Sequence, residues 1–170
     1  DAANHGAEVR TRCRVVSLMR QDDHWRIETE QGVMRARAIV NAAGPSVLSV
    51  LDLSHEPTAR KMRLVRGSHI VVPRLYDHPH PYFFQLPDGR IFFAIPYEQD
   101  FTLIGTTDAD HHGPLTHVQA SEAEIAYLCE GASRFFAHPI TPADVVWSYA
   151  GVRPLIDDGS GRPEAATRGY

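Results

Sequence analysis

Polar and apolar positions alternate with a period of two along most of the chain. Val9, Thr11, Cys13 and Val15 are separated by Arg10, Arg12 and Arg14. Successive side chains of a strand point to opposite faces, so this spacing predicts a strand with one face buried. Gln21-Asp22-Asp23 forms a turn, and Trp25, Ile27 and Thr29 then alternate with Arg26, Glu28 and Glu30 in a second strand. Gln31-Gly32 turns the chain again. Met34, Ala36 and Ala38 alternate with Arg35 and Arg37, after which the pattern becomes continuously apolar at Ile39-Val40. That switch predicts a strand that leaves the surface and enters a buried sheet. It ends at Asn41-Ala42-Ala43-Gly44-Pro45, small residues that let the backbone approach another group closely.

The polar stretch from Ser54 to Arg60 contains Pro57 and reads as a crossover between subdomains. Ser68, Ile70 and Val72 mark a further strand, closed by Pro73. A meander follows: Tyr82 to Leu86, a turn at Pro87-Asp88-Gly89, Ile91 to Ile95, a turn at Glu98-Gln99-Asp100, and Phe101 to Gly105. Aromatic and β-branched residues dominate these runs, which favours strands. One helix is clearly signalled. Ser121 and Glu124 have the spacing of a capping box, and Ile125, Leu128, Cys129, Ala132 and Phe136 follow at helical intervals. Thr141-Pro142 opens a short helical turn. Val145 to Val152 is the last strand and leads into Arg153-Pro154. The predicted class is α+β, strand-dominated, with mostly antiparallel neighbours.

The composition is that of a globular protein: 170 residues, 43% apolar and 22% charged. A chain of this length buries enough surface to need no disulfide or metal staple. The net charge is 17 − 21 = −4, which argues against a nucleic-acid partner and makes Arg10, Arg12 and Arg14 a solvated strand face. Cys13 and Cys129 form no framework and carry no metal spacing, which fits a reducing compartment. No apolar run is long enough for a transmembrane helix, and no signal peptide is visible. The chain opens at Asp1 without a methionine and stops at Tyr170 after a charged loop. This leads us to expect a piece of a longer enzyme.

Among the ten histidines, Asp108, Asp110, His111 and His112 form the densest cluster of potential ligands. Adjacent histidines point apart, and no second cluster has the right spacing, so no metal is expected. The chain contains no Gly-x-Ser-x-Gly, no phosphate loop of the Walker type and no Gly-x-Gly-x-x-Gly. Three segments carry candidate chemistry. Gly151-Val152-Arg153-Pro154-Leu155 puts a guanidinium at the end of an apolar strand, where it needs a carboxylate or phosphate. It is either a ligand clamp or half of an internal ion pair, for example with Asp108. Arg66-Gly67-Ser68-His69-Ile70 places His69 next to a glycine at the start of a strand, where a lone histidine is usually a satisfied structural residue. Gly105-Thr106-Thr107-Asp108 ends a strand in hydroxyls and a carboxylate, which ordinary turn chemistry also explains.

Together these strings resemble the FAD-dependent glycerol-3-phosphate dehydrogenases, within the wider glycine/D-amino-acid oxidase superfamily. The matching segments are Ala38 to Pro45, Arg66 to Pro73, Ile104 to Asp108, Val146 to Leu155 and Ala166-Thr167-Arg168. Their order covers nearly the whole chain. The resemblance implies that residues 1–53 are a strand-rich remnant of the FAD-binding domain. Residues 54–170 would be the mostly antiparallel substrate (cap) domain. It implies FAD as cofactor of the full-length protein, not expected on this chain alone because the glycine fingerprint is missing. The implied substrate is sn-glycerol 3-phosphate and the implied electron acceptor a quinone. The implied place is the cytoplasm, peripheral on the inner membrane. It makes His69 the candidate proton acceptor, Arg153 a substrate and catalytic residue, and Arg168 a second substrate arginine. Val15, Ala43 and Gly44 match cofactor contacts. Ala43 stands where the family has threonine and Ser46 where it has tryptophan, which leaves backbone contacts there. A related amine or amino-acid oxidase, with Arg153 gripping a carboxylate, and a non-catalytic binding domain are the alternative readings.

Overall fold

The computed structural model describes residues 1–59, 61–157 and 161. The chain divides into two compact units, Asp1–Ala59 and Arg60–Tyr170.

In the first unit, β1 (Val15–Gln21), β2 (His24–Thr29) and β3 (Gly32–Ala36) form an antiparallel meander. The tight turn into β3 is held by Thr29, whose Oγ1 donates to the Gly32 carbonyl at 2.8 Å and accepts from the Gln31 amide at 3.1 Å. The first strand is shorter than the alternation predicts, because Val9, Thr11 and Cys13 lie outside it. Arg12 has φ 52°, which breaks the extended path. The ladder begins where the Arg14 carbonyl accepts from Glu30 N–H at 3.0 Å. A second expectation also fails. β3 stops at Ala36, and Ile39-Val40 is not a strand; Val40 is 89% exposed. A strand needs a neighbour for its backbone groups, and among the described residues none runs beside it. A 3-10 turn at Gly44–Ser46 leads into α1 (Val47–Asp52), which the sequence does not announce because Ser46 makes no side-chain cap. The Leu18 amide donates to the Leu53 carbonyl at 3.1 Å and ties the end of this helix to β1.

The second unit is built around β4 (Met62–Pro73). β9 (Trp147–Ile156) runs antiparallel along one edge, from Met62 opposite Ile156 to Val71 opposite Trp147. β7 (Phe101–Gly105) and the two-residue β8 (Ala109–Asp110) share the other edge. β6 (Ile91–Tyr97) and β5 (Tyr82–Gln85) extend the sheet beyond β7. Every pairing among the described residues is antiparallel, so the predicted α+β class with a dominant antiparallel sheet is the observed one. Pro154 is tolerated because β9 lies at an edge of the described sheet.

One face of this sheet is dry. Ile70 and Val72 of β4, Ile104 of β7, and Phe92 and Ala94 of β6 pack against Leu128, Cys129 and Ala132 of α2 (Glu122–Ser133). Helix α2 starts where Ser121 predicts, with both hydrogen bonds of the capping box present. The alternate residues of β4, Gly67 and His69, are thereby sent to the opposite face. Among the described residues, no helix is long and apolar enough to cross a membrane.

Candidate active site

Strand register assembles the site. His69 on β4 lies opposite Tyr149 on β9 and Gly105 on β7, and Gly67 lies opposite Gly151. Two residues further along β9 comes Arg153. With Leu103, Thr106 and the apolar side chains of Phe93 and Ile95, these residues line an open cavity of about 390 Å³ on the face away from α2.

Two glycines make room for the two functional side chains. A Cβ on Gly105 would collide with the His69 ring, and one on Gly67 would collide with Arg153 Nη2 and Thr106 Oγ1. The Arg153 Nη2 donates to the Thr107 carbonyl at 2.9 Å and to Asp108 Oδ1 at 2.9 Å, with Thr106 Oγ1 at 3.5 Å. The internal ion pair considered from the sequence therefore exists, and it uses one end of the fork. Among the described residues, Nε and Nη1 of Arg153 have no protein acceptor. Its side chain is 37% exposed, against 12% for Asp108. A half-exposed guanidinium with one end pinned is pre-oriented for an anion.

His69 stacks on Tyr149, with ring centroids 4.9 Å apart and an interplanar angle of 4°. Its Nδ1 is enclosed and has no hydrogen-bond partner among the described residues. A buried polar atom left unpaired costs about 1–3 kcal/mol, which makes it a pointer to function. Burial, and then the positive charge of Arg153, holds the His69 pKa below the usual imidazole value. The ring is neutral near pH 7 and available to take a proton.

Behind the site lies a carboxylate hub. Glu124 Oε1 accepts from Thr107 Oγ1 at 2.8 Å, Ser68 Oγ at 2.9 Å and Arg66 Nε at 3.3 Å. Its Oε2 accepts from the Ser121 amide at 3.0 Å, Ser121 Oγ at 2.7 Å and Arg66 Nη2 at 2.7 Å. Burial pushes the Glu124 pKa up, but the hydrogen bonds from Ser121, Thr107 and Arg66 outweigh it, and the net value is lowered to about 2.

The other residues singled out from the sequence lie elsewhere. Val15 and Ala43 line a second cavity, of about 970 Å³, within the first unit, together with Leu18, Ile27, Val50 and Leu53. Gly44 does not line it; with φ 56° it opens the 3-10 turn that follows. Asn41 holds this small-residue bend, donating from Nδ2 to the Val47 carbonyl at 2.8 Å and accepting from the Ala43 amide at 3.3 Å. Arg168 lies outside the described residues. The Asp108 to His112 cluster is dispersed among separate partners. Asp108 pairs with Arg153, Asp110 takes Arg63 through both oxygens at 2.6 and 2.8 Å, and His111 Nε2 lies 3.2 Å from the Pro114 carbonyl. Among the described residues, no three His, Cys, Asp or Glu side chains are grouped to hold a metal.

Residues 1–168 match the model of the family described as FAD dependent oxidoreductase. The chain belongs to this family. It is 45% identical to a glycerol-3-phosphate dehydrogenase of Pseudomonas aeruginosa and 44% identical to a D-erythritol 1-phosphate dehydrogenase of Brucella abortus. Each match covers 99% of this chain but only 34% and 35% of those proteins, so the chain spans about a third of their length. Among solved structures, the glycerol-3-phosphate dehydrogenase from Bacillus halodurans complexed with FAD superposes with a TM-score of 0.77 at 27% identity. That match covers 91% of this chain and 33% of that one.

The family's flavin is compatible with what the chain offers. The first unit presents a large, mostly apolar cavity with Ala42 and Ala43 of the small-residue bend in its wall. The second unit presents an imidazole stacked on Tyr149, its Nδ1 without a hydrogen-bond partner among the described residues, beside a pinned guanidinium. The sequence places Thr106 in a candidate segment but singles out neither Tyr149 nor the hub role of Glu124. Period-two counting back from Arg153 through Gly151 reaches Tyr149 on the same face. Counting forward from Glu124 by four and eight reaches Leu128 and Ala132, which puts the carboxylate on the buried stripe of α2.

Proposed function

We propose that the full-length protein oxidises sn-glycerol 3-phosphate to dihydroxyacetone phosphate and passes the electrons to a quinone. The observation that carries this reading is the pairing, in one cavity, of Arg153 pinned at one nitrogen and a neutral His69 whose Nδ1 has no hydrogen-bond partner among the described residues. Oxidising a secondary alcohol needs a hydride acceptor and a base. FAD, when bound, supplies the acceptor. His69 takes the hydroxyl proton at Nε2, since Nδ1 is enclosed. Arg153 meets the phosphate with the nitrogens not engaged by Thr107 and Asp108, and Arg168 is assigned as a second phosphate contact. Thr106 Oγ1 and Tyr149 border the same cavity and orient the polyol. The apolar side chains of Phe93, Ile95 and Leu103 lower the local dielectric, which strengthens the arginine–phosphate attraction. An overall acidic chain binds an anion only through such a local cluster.

In this reading residues 1–53 belong to the FAD-binding domain, with Val15, Ala43 and Gly44 contributing backbone to the cofactor. Residues 54–170 belong to the substrate domain. The enzyme works in the cytoplasm as a peripheral protein of the inner membrane, where quinones are reached. The 44% identity to a D-erythritol 1-phosphate dehydrogenase supports a second reading, in which the substrate is a four-carbon polyol phosphate.

The test is turnover by the full-length, flavin-loaded protein with a soluble quinone, offering sn-glycerol 3-phosphate, D-erythritol 1-phosphate and glycine in parallel. The first is expected to give the highest kcat/KM. Preference for the second moves the assignment to the longer polyol, and oxidation of glycine alone overturns both. Arg153→Lys is expected to keep the fold and lose most of kcat/KM, because lysine lacks the bidentate fork. Loss of stability with unchanged kinetics would reduce Arg153 to its ion pair with Asp108. The 170-residue chain by itself is expected to purify colourless, since it lacks the glycine-rich turn that seats a pyrophosphate on a helix N-terminus. A flavin spectrum retained through gel filtration would contradict that.

A further inference from the structure

We propose that Glu124 is a positioning residue, whose carboxylate sets the place of the Arg153 guanidinium by fixing Thr107. The inference rests on the proposed role of Arg153 as the substrate's anion clamp.

A capping glutamate needs only its own N-cap residue. Glu124 does that with Oε2, on Ser121, and directs Oε1 at the loop that follows β7, where Thr107 Oγ1 donates to it at 2.8 Å. The same Thr107 hydroxyl accepts from the Ser68 amide at 2.9 Å, and the Thr107 amide donates to the Ser68 carbonyl at 3.4 Å. Thr107 is thus held through side chain and backbone together. Its carbonyl is one of the two close acceptors on Arg153 Nη2, and the next residue, Asp108, supplies the other, each at 2.9 Å. The chain of contacts runs from the helix N-terminus through one carboxylate and one threonine to the clamp. Every participant before Arg153 is buried or half-buried, so water does not substitute for a lost partner. Arg66, which pairs with Glu124 Oε2 at 2.7 Å, fixes the carboxylate from the β4 side. The hub therefore couples the packing of α2 to the orientation of a guanidinium on the far face of the sheet.

The experiment uses the full-length holoenzyme and separates this role from simple stability. Thr107→Val removes the hydroxyl bridge while leaving Glu124, Ser121 and the helix cap in place. It should raise KM for sn-glycerol 3-phosphate at least tenfold and change kcat less, and Thr107→Ser should recover most of the loss. Glu124→Gln should raise KM similarly in the wild-type background and hardly at all in an Arg153→Lys background. A merely structural hub would give the same loss in both backgrounds. A crystal structure of Thr107→Val gives a readout that does not depend on the substrate. Arg153 Nη2 should have left the 107–108 acceptors, and an unmoved guanidinium overturns the proposal even if the enzyme acts on another substrate. Wild-type turnover with unchanged KM in both Thr107→Val and Glu124→Gln also overturns it, while leaving the functional reading standing. Absence of any wild-type turnover on the polyol phosphates counts against that reading instead, and the crystal structure then decides the positioning role.

Discussion

The two compact units solve the problem of burying apolar surface very differently. In Arg60–Tyr170 a continuous core runs from β4 through β7 and β6 to α2, and Ile70, Val72, Ala94, Ile104 and Ala132 are fully enclosed. In Asp1–Ala59 the described residues bury only Leu18 and Thr29, while Val16, Met19, Val33 and Val40 are exposed. The second unit has a dry face and a cavity-bearing face on one sheet, so its candidate site side chains stand on a packed support. The first is a meander and a one-and-a-half-turn helix around an open apolar cavity. A three-stranded sheet with one apolar face needs something packed on it for independent stability. The contrast assigns precision to the second unit and a share of a larger structure to the first.

The sharpest test of that assignment is chemical. His69→Asn in the full-length enzyme should lower kcat by about two to four orders of magnitude, the range for loss of a general base. KM should change much less, because asparagine still hydrogen-bonds the substrate hydroxyl. Burial and Arg153 depress the pKa of His69, so protonation should disable the enzyme only below the ordinary imidazole value of about 6.5. The acidic limb of the rate–pH profile should therefore lie below that pH in the wild type and vanish in His69→Asn. A variant that keeps its turnover and its acidic limb makes His69 a structural histidine.

Next in size is the core. Leu128→Ala should cost about 2–5 kcal/mol, since Leu128 is enclosed between α2 and the sheet. Leu18→Ala should sit at the low end, about 2 kcal/mol, because its site can collapse into the neighbouring cavity. Urea melts of the 170-residue chain, read by amide exchange in each unit, measure both. Equal costs, or equal protection of the two units, would remove the contrast.

A third effect follows from Glu124. Its folded pKa of about 2 lies below the ordinary glutamate value of 4.5. A depressed carboxylate contributes stability that is fully present above the unfolded pKa and lost as pH falls through the folded one. The contribution is on the order of 3 kcal/mol, from the size of that shift. The second unit should therefore lose stability between about pH 4.5 and pH 2, and Glu124→Gln should flatten that loss. An acid titration of the wild type and the variant, followed by tryptophan fluorescence, checks both the direction and the window.

What the sequence made legible follows the same division. In the second unit, alternation placed β5, β6 and β7, and Ser121 with Glu124 placed α2, because each pattern there is satisfied by a partner within the chain. It missed the first half of β4, since Met62, Leu64 and Val65 with Arg63 and Arg66 do not alternate. It also missed β8, which is only two residues long. His69 and Arg153 stand out as candidates because each sits in a distinctive string, and strand register brings both to one cavity. For Glu124 the spacing gives only the cap, because its contact with the loop depends on a tertiary approach. In the first unit, alternation overran the structure at Val9 and at Ile39-Val40, where local pattern had no tertiary partner to confirm it.

Val40 gives the smallest effect and the most direct comparison of the chain with the longer protein. An apolar run such as Ile39-Val40 is the sequence mark of a strand buried on both faces. Yet in the described structure Val40 is 89% exposed and its segment pairs with nothing. In the 170-residue chain, Val40→Ser should change stability by less than about 0.5 kcal/mol, as for other surface substitutions. In the full-length protein, where the relatives are about three times as long, we expect the run to be covered. The same substitution should then cost about 1.5 kcal/mol or more, the value of a buried valine side chain. The two melts differ only in what surrounds one side chain, so they isolate the missing burial. A negligible cost in both would mean that Val40 is a surface residue in the whole enzyme too, and that the apolar cavity beside it is not a seam closed by further chain.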